Sequence, residues 1–253
     1  MRLALCTTAF NAALRLGDLT QLEVFEYCAR RVGIDGIVLD IAHFPRHDDE
    51  YVAQIKKFSA DLALTIVAVR DDEMTTRRSN ALVLAAGVGA PYVLTRMPDS
   101  GNDPVLRYNE TLGVISQAVV EAKRVNVTLA VRNVVGSLAA DAFQLARLRK
   151  EADSAWLRYA LDAVALGVLP DAKLRTHTVL GFRSIDAVPS DGADPASETI
   201  LEALPAFPGF LCLDYAGPAP EADATARLVA GWKLIMAREV LRGGVVADPH
   251  VPS

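Results

Sequence analysis

Short β-rich runs alternate with longer helical patterns from one end of this 253-residue chain to the other, and that rhythm restricts the fold more than any other feature. Eight such runs can be read: RLALC from Arg2, IDGIVLD from Ile34, LALTIVAV from Leu62, YVLT from Tyr92, VTLAV from Val127, LRYAL from Leu157, LRTHTVL from Leu174 and FLCL from Phe210. Helical stripes lie between them. Leu22, Phe25, Ala29 and Val32 recur on one face after Asp18 and Gln21, which have capping-box spacing. Tyr108, Leu112, Ile115, Val119 and Ala122 form a second stripe, and Leu228, Trp232 and Ile235 a third. Strand then helix, eight times over about 250 residues, is the length of an α/β fold of the (β/α)8 TIM-barrel kind, a single domain over 1–253. A doubly wound open sheet is the competing arrangement, but no G-x-G-x-x-G or P-loop sequence follows any strand. The glycines of AAGVGAPYV stand at a helix end just before a strand, where glycine serves as a C-cap.

Composition narrows the function classes. Half the residues are apolar, enough for a large core. The net charge of −5 arises from 31 acids and 26 bases spread along the chain, without the basic cluster on which nucleic-acid affinity rests. Cys6, Cys28 and Cys212 have no metal-knuckle or CxxC spacing, and an odd count of scattered thiols fits a reducing, cytoplasmic setting. Cys6 and Cys212 read as small buried hydrophobes. Thr7, Thr8 and Asn11 break the apolar start, so it reads as a first strand rather than a leader, and no run reaches the ~20 residues of a membrane span.

In a barrel, reactive groups sit where strands run into the following loops. The third, fourth and fifth strands end in Arg70, Arg96 and Arg132; the second, sixth and eighth end in Asp40, Asp162 and Asp214, with His43 just past Asp40. The seventh run carries Arg175 and His177 at alternate positions. Period-two alternation that turns Arg132 inward also turns Ala130 inward, and Asp214 brings Cys212 and Phe210 with it. These charges are therefore expected to line one mouth. A single charge at a strand end is ordinarily a loop ion pair; the series is what points to a pocket. His47 and His250 are expected to be solvated.

The order of these segments resembles the xylose isomerase-like TIM barrels, a family that includes sugar-phosphate isomerases and epimerases. ARRVGIDGIVLD is similar to the family's first helix and second strand, VTLAVRNVVGSL to its fifth strand and loop, LRYALD to its sixth, and GADPASETILEALPAFPGFLCLD to the approach to its eighth. The resemblance implies one divalent metal held by a Glu on strand five, an Asp on strand six, a His on strand seven and a Glu on strand eight. It places Asp162 and His177 at the sixth and seventh positions, Asp214 at the eighth, and Arg132 where the fifth-strand Glu should be. Val38 and Ala165 are further departures from the family pattern.

A guanidinium about 5 Å from a dication is repelled by roughly 5 to 7 kcal/mol at an effective dielectric of ~20. No cofactor is therefore expected; if a divalent ion (Zn, Mn or Mg) is retained, Asp162, His177 and Asp214 are its ligands. Two readings follow. In one, Arg132 with Arg70 and Arg96 replaces the metal, Asp214 or Asp162 moves a proton, and the protein isomerises or epimerises a small hydroxy-carbonyl sugar or sugar phosphate. His177, Asp40, His43 and Arg175 would then contact the substrate. In the other, Arg132 pairs with Asp162 and Asp214 and the barrel is catalytically degenerate, closed or binding a small anion. Partners are expected to be small sugars or anionic metabolites, with a homo-oligomer left open, not nucleic acid or a membrane. The segment GFRSIDAVPSDG, with Arg183, Ser184 and Ser190, reads as a loop near a customary phosphate-gripping position.

Overall fold

The computed structural model describes residues 1–76, 79–190, 192–217 and 221–244; His250 lies outside them. Eight parallel strands close into a barrel in chain order: Arg2–Cys6 (β1), Gly36–Asp40 (β2), Thr65–Arg70 (β3), Tyr92–Arg96 (β4), Thr128–Arg132 (β5), Leu157–Asp162 (β6), Thr178–Ile185 (β7) and Phe210–Tyr215 (β8). Helices pack around them, among them Asp49–Asp61, Ala81–Val88, Pro104–Val125 and Ala142–Ala152. Among the described residues no helix is long and apolar enough to cross a membrane.

Alternation along each strand separates two cores. Leu129 and Val131 of β5 turn outward into the strand–helix core, whereas Ala130 turns inward with Ala4, Cys6, Val38, Leu94 and Cys212. Small inward residues leave room for the larger Phe182 and Phe210, so the interior is filled rather than open. Close packing shows most clearly at Gly36, where a Cβ would meet the Phe210 ring and a Val67 methyl at 2.7 Å. The Arg2 guanidinium lies 4.0 Å from the centre of the Phe210 ring and covers the lower end of the barrel. Cys6, Cys28 and Cys212 are all free and buried.

The helical stripes follow the sequence. Tyr108, Ile115, Val119 and Ala122 are buried along one long helix, and Leu228 and Trp232 along the last. Gly89, at φ +80°, ends the helix Ala81–Val88 as a C-cap. The first capping box differs from the expected one. Thr20, not Asp18, caps the helix Gln21–Glu26, with Glu23 reaching back to the Thr20 N–H at 2.7 Å. Gly17 in the left-handed region ends the preceding helix and places Thr20 in the extended conformation a cap needs.

The larger departure is the seventh strand. The expected run from Leu174 is a helix, Ala172–Thr176, because the Asp171 carboxylate accepts the Leu174 N–H at 2.6 Å and starts it. β7 begins only at Thr178 and runs to Ile185, so the start of the expected phosphate-gripping loop is strand. Arg183 there is bound by Asp194 at 2.8 Å, and Asp194 also accepts from the Trp232 indole. That cluster fixes the last helix against β7.

Candidate active site

Strand register sets the height of each charged group at the C-terminal mouth. Asp40 lies beside Arg70, Arg96 beside Arg132, and Ser184 beside Asp214. Each follows an inward residue two positions earlier, so Asp40, Arg70, Arg96, Arg132, Asp162 and Asp214 all lie on the inner face of the barrel at the mouth end, as alternation requires. His43 joins them: its Nδ1 is 2.9 Å from Thr7 Oγ1, the same hydroxyl that accepts the Asp40 N–H.

Arg70 is the most heavily used group. It donates to Asp214 Oδ2 at 2.8 Å, to Thr8 Oγ1 at 3.1 Å, and to Asp72 Oδ2 from two nitrogens at 3.1 and 2.6 Å. Thr8 in turn donates to Asp214 Oδ1 at 2.6 Å. Burial opposes the charge of Arg70, but Asp214 and Asp72 beside it hold its pKa above the ordinary value. Burial also works against ionised Asp72, yet Arg70 and Arg132 hold its pKa below the usual carboxylate range.

Arg132 is placed differently. It is 7% exposed, sits 4.3 Å from the centre of the Phe182 ring, and makes one long hydrogen bond, 3.3 Å, to Asp72. Among the described residues its Nε is buried without a partner, as is Asp72 Oδ1. Burial and the neighbouring Arg70 charge hold its pKa below the usual guanidinium value. The expected pairing of Arg132 with Asp162 and Asp214 is not formed; Asp72, two residues beyond the end of β3, takes that role.

Asp162 is anchored through one oxygen. Its Oδ1 accepts the N–H groups of Val164 and Ala165, both at 3.0 Å, and caps the turn that follows β6. Asn133 locks the backbone there, accepting the Asp162 N–H at 2.8 Å and donating to the Asp162 carbonyl at 2.9 Å. Burial raises the Asp162 pKa, with the capping N–H groups and Arg132 pulling the other way. Asp40 is also raised by burial, against its own capping bond and Arg70. Arg96 is partly exposed and pairs with Asp99. An open cavity of about 600 Å³ adjoins the mouth, lined among others by Thr8, Asn11, Arg15, Arg70 and Asp214.

Two expected site residues lie elsewhere. Arg175 is in the helix before β7 and donates to the Pro170 carbonyl at 2.8 Å, and His177 follows that helix at the lower end of the barrel. Both are displaced because the strand they were assigned to starts later, and Ser184 occupies the mouth position on β7. The set Asp162, His177 and Asp214 therefore cannot close around one ion. Arg132 stands at the mouth end of β5, and among the described residues no three His, Cys, Asp or Glu side chains converge on one point.

Thr8, Asp72 and Phe182 belong to the site without having been singled out in the sequence. Thr8 lies past the end of β1 in the 3-10 turn Thr7–Phe10, where strand alternation no longer applies. Phe182 was hidden by the misplaced strand, and Asp72, which lies in the loop, carries no periodic signal.

The closed ring of eight parallel strands with this charged mouth is a (β/α)8 barrel, the fold that the strand–helix rhythm implies. Solved structures share it. An L-ribulose 3-epimerase superposes with a TM-score of 0.76 at 16% identity over 99% of both chains. The probable 3-DHS dehydratase AsbF of Bacillus anthracis, involved in petrobactin synthesis, gives 0.73 at 16% identity, over 93% of this chain and 99% of that one. A xylose isomerase-like TIM barrel/4-hydroxyphenylpyruvate dioxygenase fusion protein gives 0.67 at 17% identity, covering 100% of this chain and 45% of the fusion. No family model matches the chain, and no curated protein matches it in sequence.

Proposed function

We propose that this mouth binds a small hydroxy-carbonyl sugar or sugar phosphate and performs isomerase or epimerase chemistry without a metal. The observation that carries the reading is Arg132. A buried guanidinium on an aromatic floor, with one long hydrogen bond and an unpartnered Nε, keeps donors in reserve for an oxyanion or anionic group. Arg70, at the cavity, carries the second positive charge.

Proton transfer falls to Asp162. Its pKa is raised by burial, which makes it the more basic carboxylate, and only one of its oxygens is committed to capping. Asp214 has both oxygens engaged, by Thr8 and Arg70, and serves to orient a substrate hydroxyl at the cavity wall. The fold likeness to an L-ribulose 3-epimerase supports the substrate class. The network of Arg70, Asp72 and Asp214 favours a second reading, a mouth held shut by ion pairs and catalytically silent.

Solvent-hydrogen exchange into a panel of ketoses, aldoses and their phosphates separates the two. Exchange at the carbon next to the carbonyl, lost in Asp162→Asn and reduced mainly through KM in Arg132→Met, supports catalysis. Absence of exchange and of binding across the panel establishes the closed, silent mouth.

A further inference from the structure

A second cavity, of about 210 Å³, opens near the lower end of the barrel between the helices Ala142–Ala152 and Ala172–Thr176 and the start of β6. Arg149, Lys150, Lys173 and His177 line it, against the carboxylates of Asp153 and Asp171. The carboxylates do not neutralise the cations. Among the described residues Arg149, Lys150 and Lys173 form no ion pair, and Arg149 Nε is buried without an acceptor. Asp171 commits Oδ1 to the Leu174 N–H and so starts its own helix.

The wall is rigid where it matters. Tyr159 donates to the Leu145 carbonyl at 2.9 Å and meets the His177 ring edge-on, with centroids 6.5 Å apart. Three cations and an imidazole outnumber the two carboxylates around one small concavity, and guanidinium and ammonium donors from two helices match a tetrahedral oxyanion. The volume is below the ~300–1,000 Å³ of pockets for drug-sized ligands, which restricts the occupant to a small group.

We propose that this lower cavity is an anion site, separate from the mouth, that binds inorganic phosphate or the phosphate end of a small phosphomonoester through Arg149, Lys173 and His177. The charges around His177 agree with that. Arg149 and Lys150 face it from one helix, Arg158 and Tyr159 from β6, Lys173 and Asp171 from the helix before it, and Asp153 from the turn after Ala152. Burial, then Arg149, Arg158 and Lys173, hold its pKa below the usual histidine value. A bound anion reverses the balance of charge, so binding favours the protonated imidazole and raises the His177 pKa.

The test follows the His177 ring by NMR, assigned through His177→Asn, while inorganic phosphate or glycerol phosphate is added at constant ionic strength against chloride. The expected result is a phosphate-dependent shift of that resonance with a raised His177 pKa. The Arg149→Gln/Lys173→Gln variant should weaken binding about tenfold or more, and Arg132→Met should leave the response unchanged. A stronger response to glycerol phosphate than to phosphate identifies the monoester as the source. No shift at tens of millimolar phosphate, an equal shift with chloride, or an undiminished response in the double variant while circular dichroism shows it folded would overturn the proposal. Loss of the response in Arg132→Met would overturn the separateness of the two sites, whatever the mouth proves to catalyse.

Discussion

The two ends of this barrel handle charge in opposite ways. At the mouth buried Arg132 and the largely covered Arg70 share the carboxylate of Asp72, and Arg70 also binds Asp214, so the charges belong to one network. Near the lower end Arg149, Lys150 and Lys173 stand around a cavity without ion pairs among the described residues, and packing there is close, as at the Gly36–Phe210 approach. Buried ions must be paired to be tolerated at all, whereas half-exposed cations can remain unpaired at small cost because water and salt screen them.

The largest effect should come from breaking the mouth network at its shared acceptor. Asp72→Ala leaves buried Arg132 without its ion pair and Arg70 with one fewer, and should cost about 3 kcal/mol, read as a lowered urea midpoint. Arg132→Met should cost less, since Asp72 keeps Arg70 and the Met side chain still covers Phe182. Equal losses in the two variants would mean that the network is not organised around Asp72.

Next in size is Gly36→Ala. It tests whether the lower end depends on packing, because the new Cβ would meet Phe210 and Val67 at 2.7 Å. A loss of about 1–3 kcal/mol is expected; an unchanged midpoint would show that the interior gives way there.

A smaller, pH-dependent effect isolates Asp162. Burial raises its folded pKa, so its contribution to stability is complete below the unfolded value and is lost as the pH rises through the folded one. Asp162→Asn keeps an acceptor for the Val164 and Ala165 N–H groups and removes the buried charge. The variant should melt higher than wild type at pH 7, and the gap should close as the pH is lowered toward 4. A gap independent of pH would show that capping, not charge, governs this position.

The smallest effect belongs to the lower cavity. Lys173→Gln relieves repulsion among like charges, so the melting temperature should rise slightly at low ionic strength and match wild type in high salt. A drop at low salt would indicate a hidden carboxylate partner for Lys173.

The barrel was legible because parallel strands buried on both faces impose a rhythm that survives any single misreading. Period-two alternation further placed Asp40, Arg70, Arg96, Arg132, Asp162 and Asp214 on the inner face at the mouth, since a strand has only two sides. His177 and Arg175 were misplaced by a local competition. Thr176, Thr178 and Val179 favour a strand, but the Asp171 cap wins the first three residues of the expected run, Leu174 to Thr176, for a helix and shifts β7 toward the C-terminus. Partner choice within the mouth was not legible at all. Whether Arg132 finds Asp162, Asp214 or Asp72 depends on a loop path after β3 that no periodicity encodes.

The buried thiols give the barrel an internal clock. Cys6 and Cys212 lie inside the ring of strands and Cys28 in the surrounding shell, and burial pushes the Cys28 and Cys212 thiols up to about 12. A thiol in that state is almost wholly protonated at neutral pH and inert to alkylating reagents. Each modification event therefore records an opening of the structure, and the order in which Cys28 and the two interior thiols react tells whether the helical shell loosens before the ring itself parts.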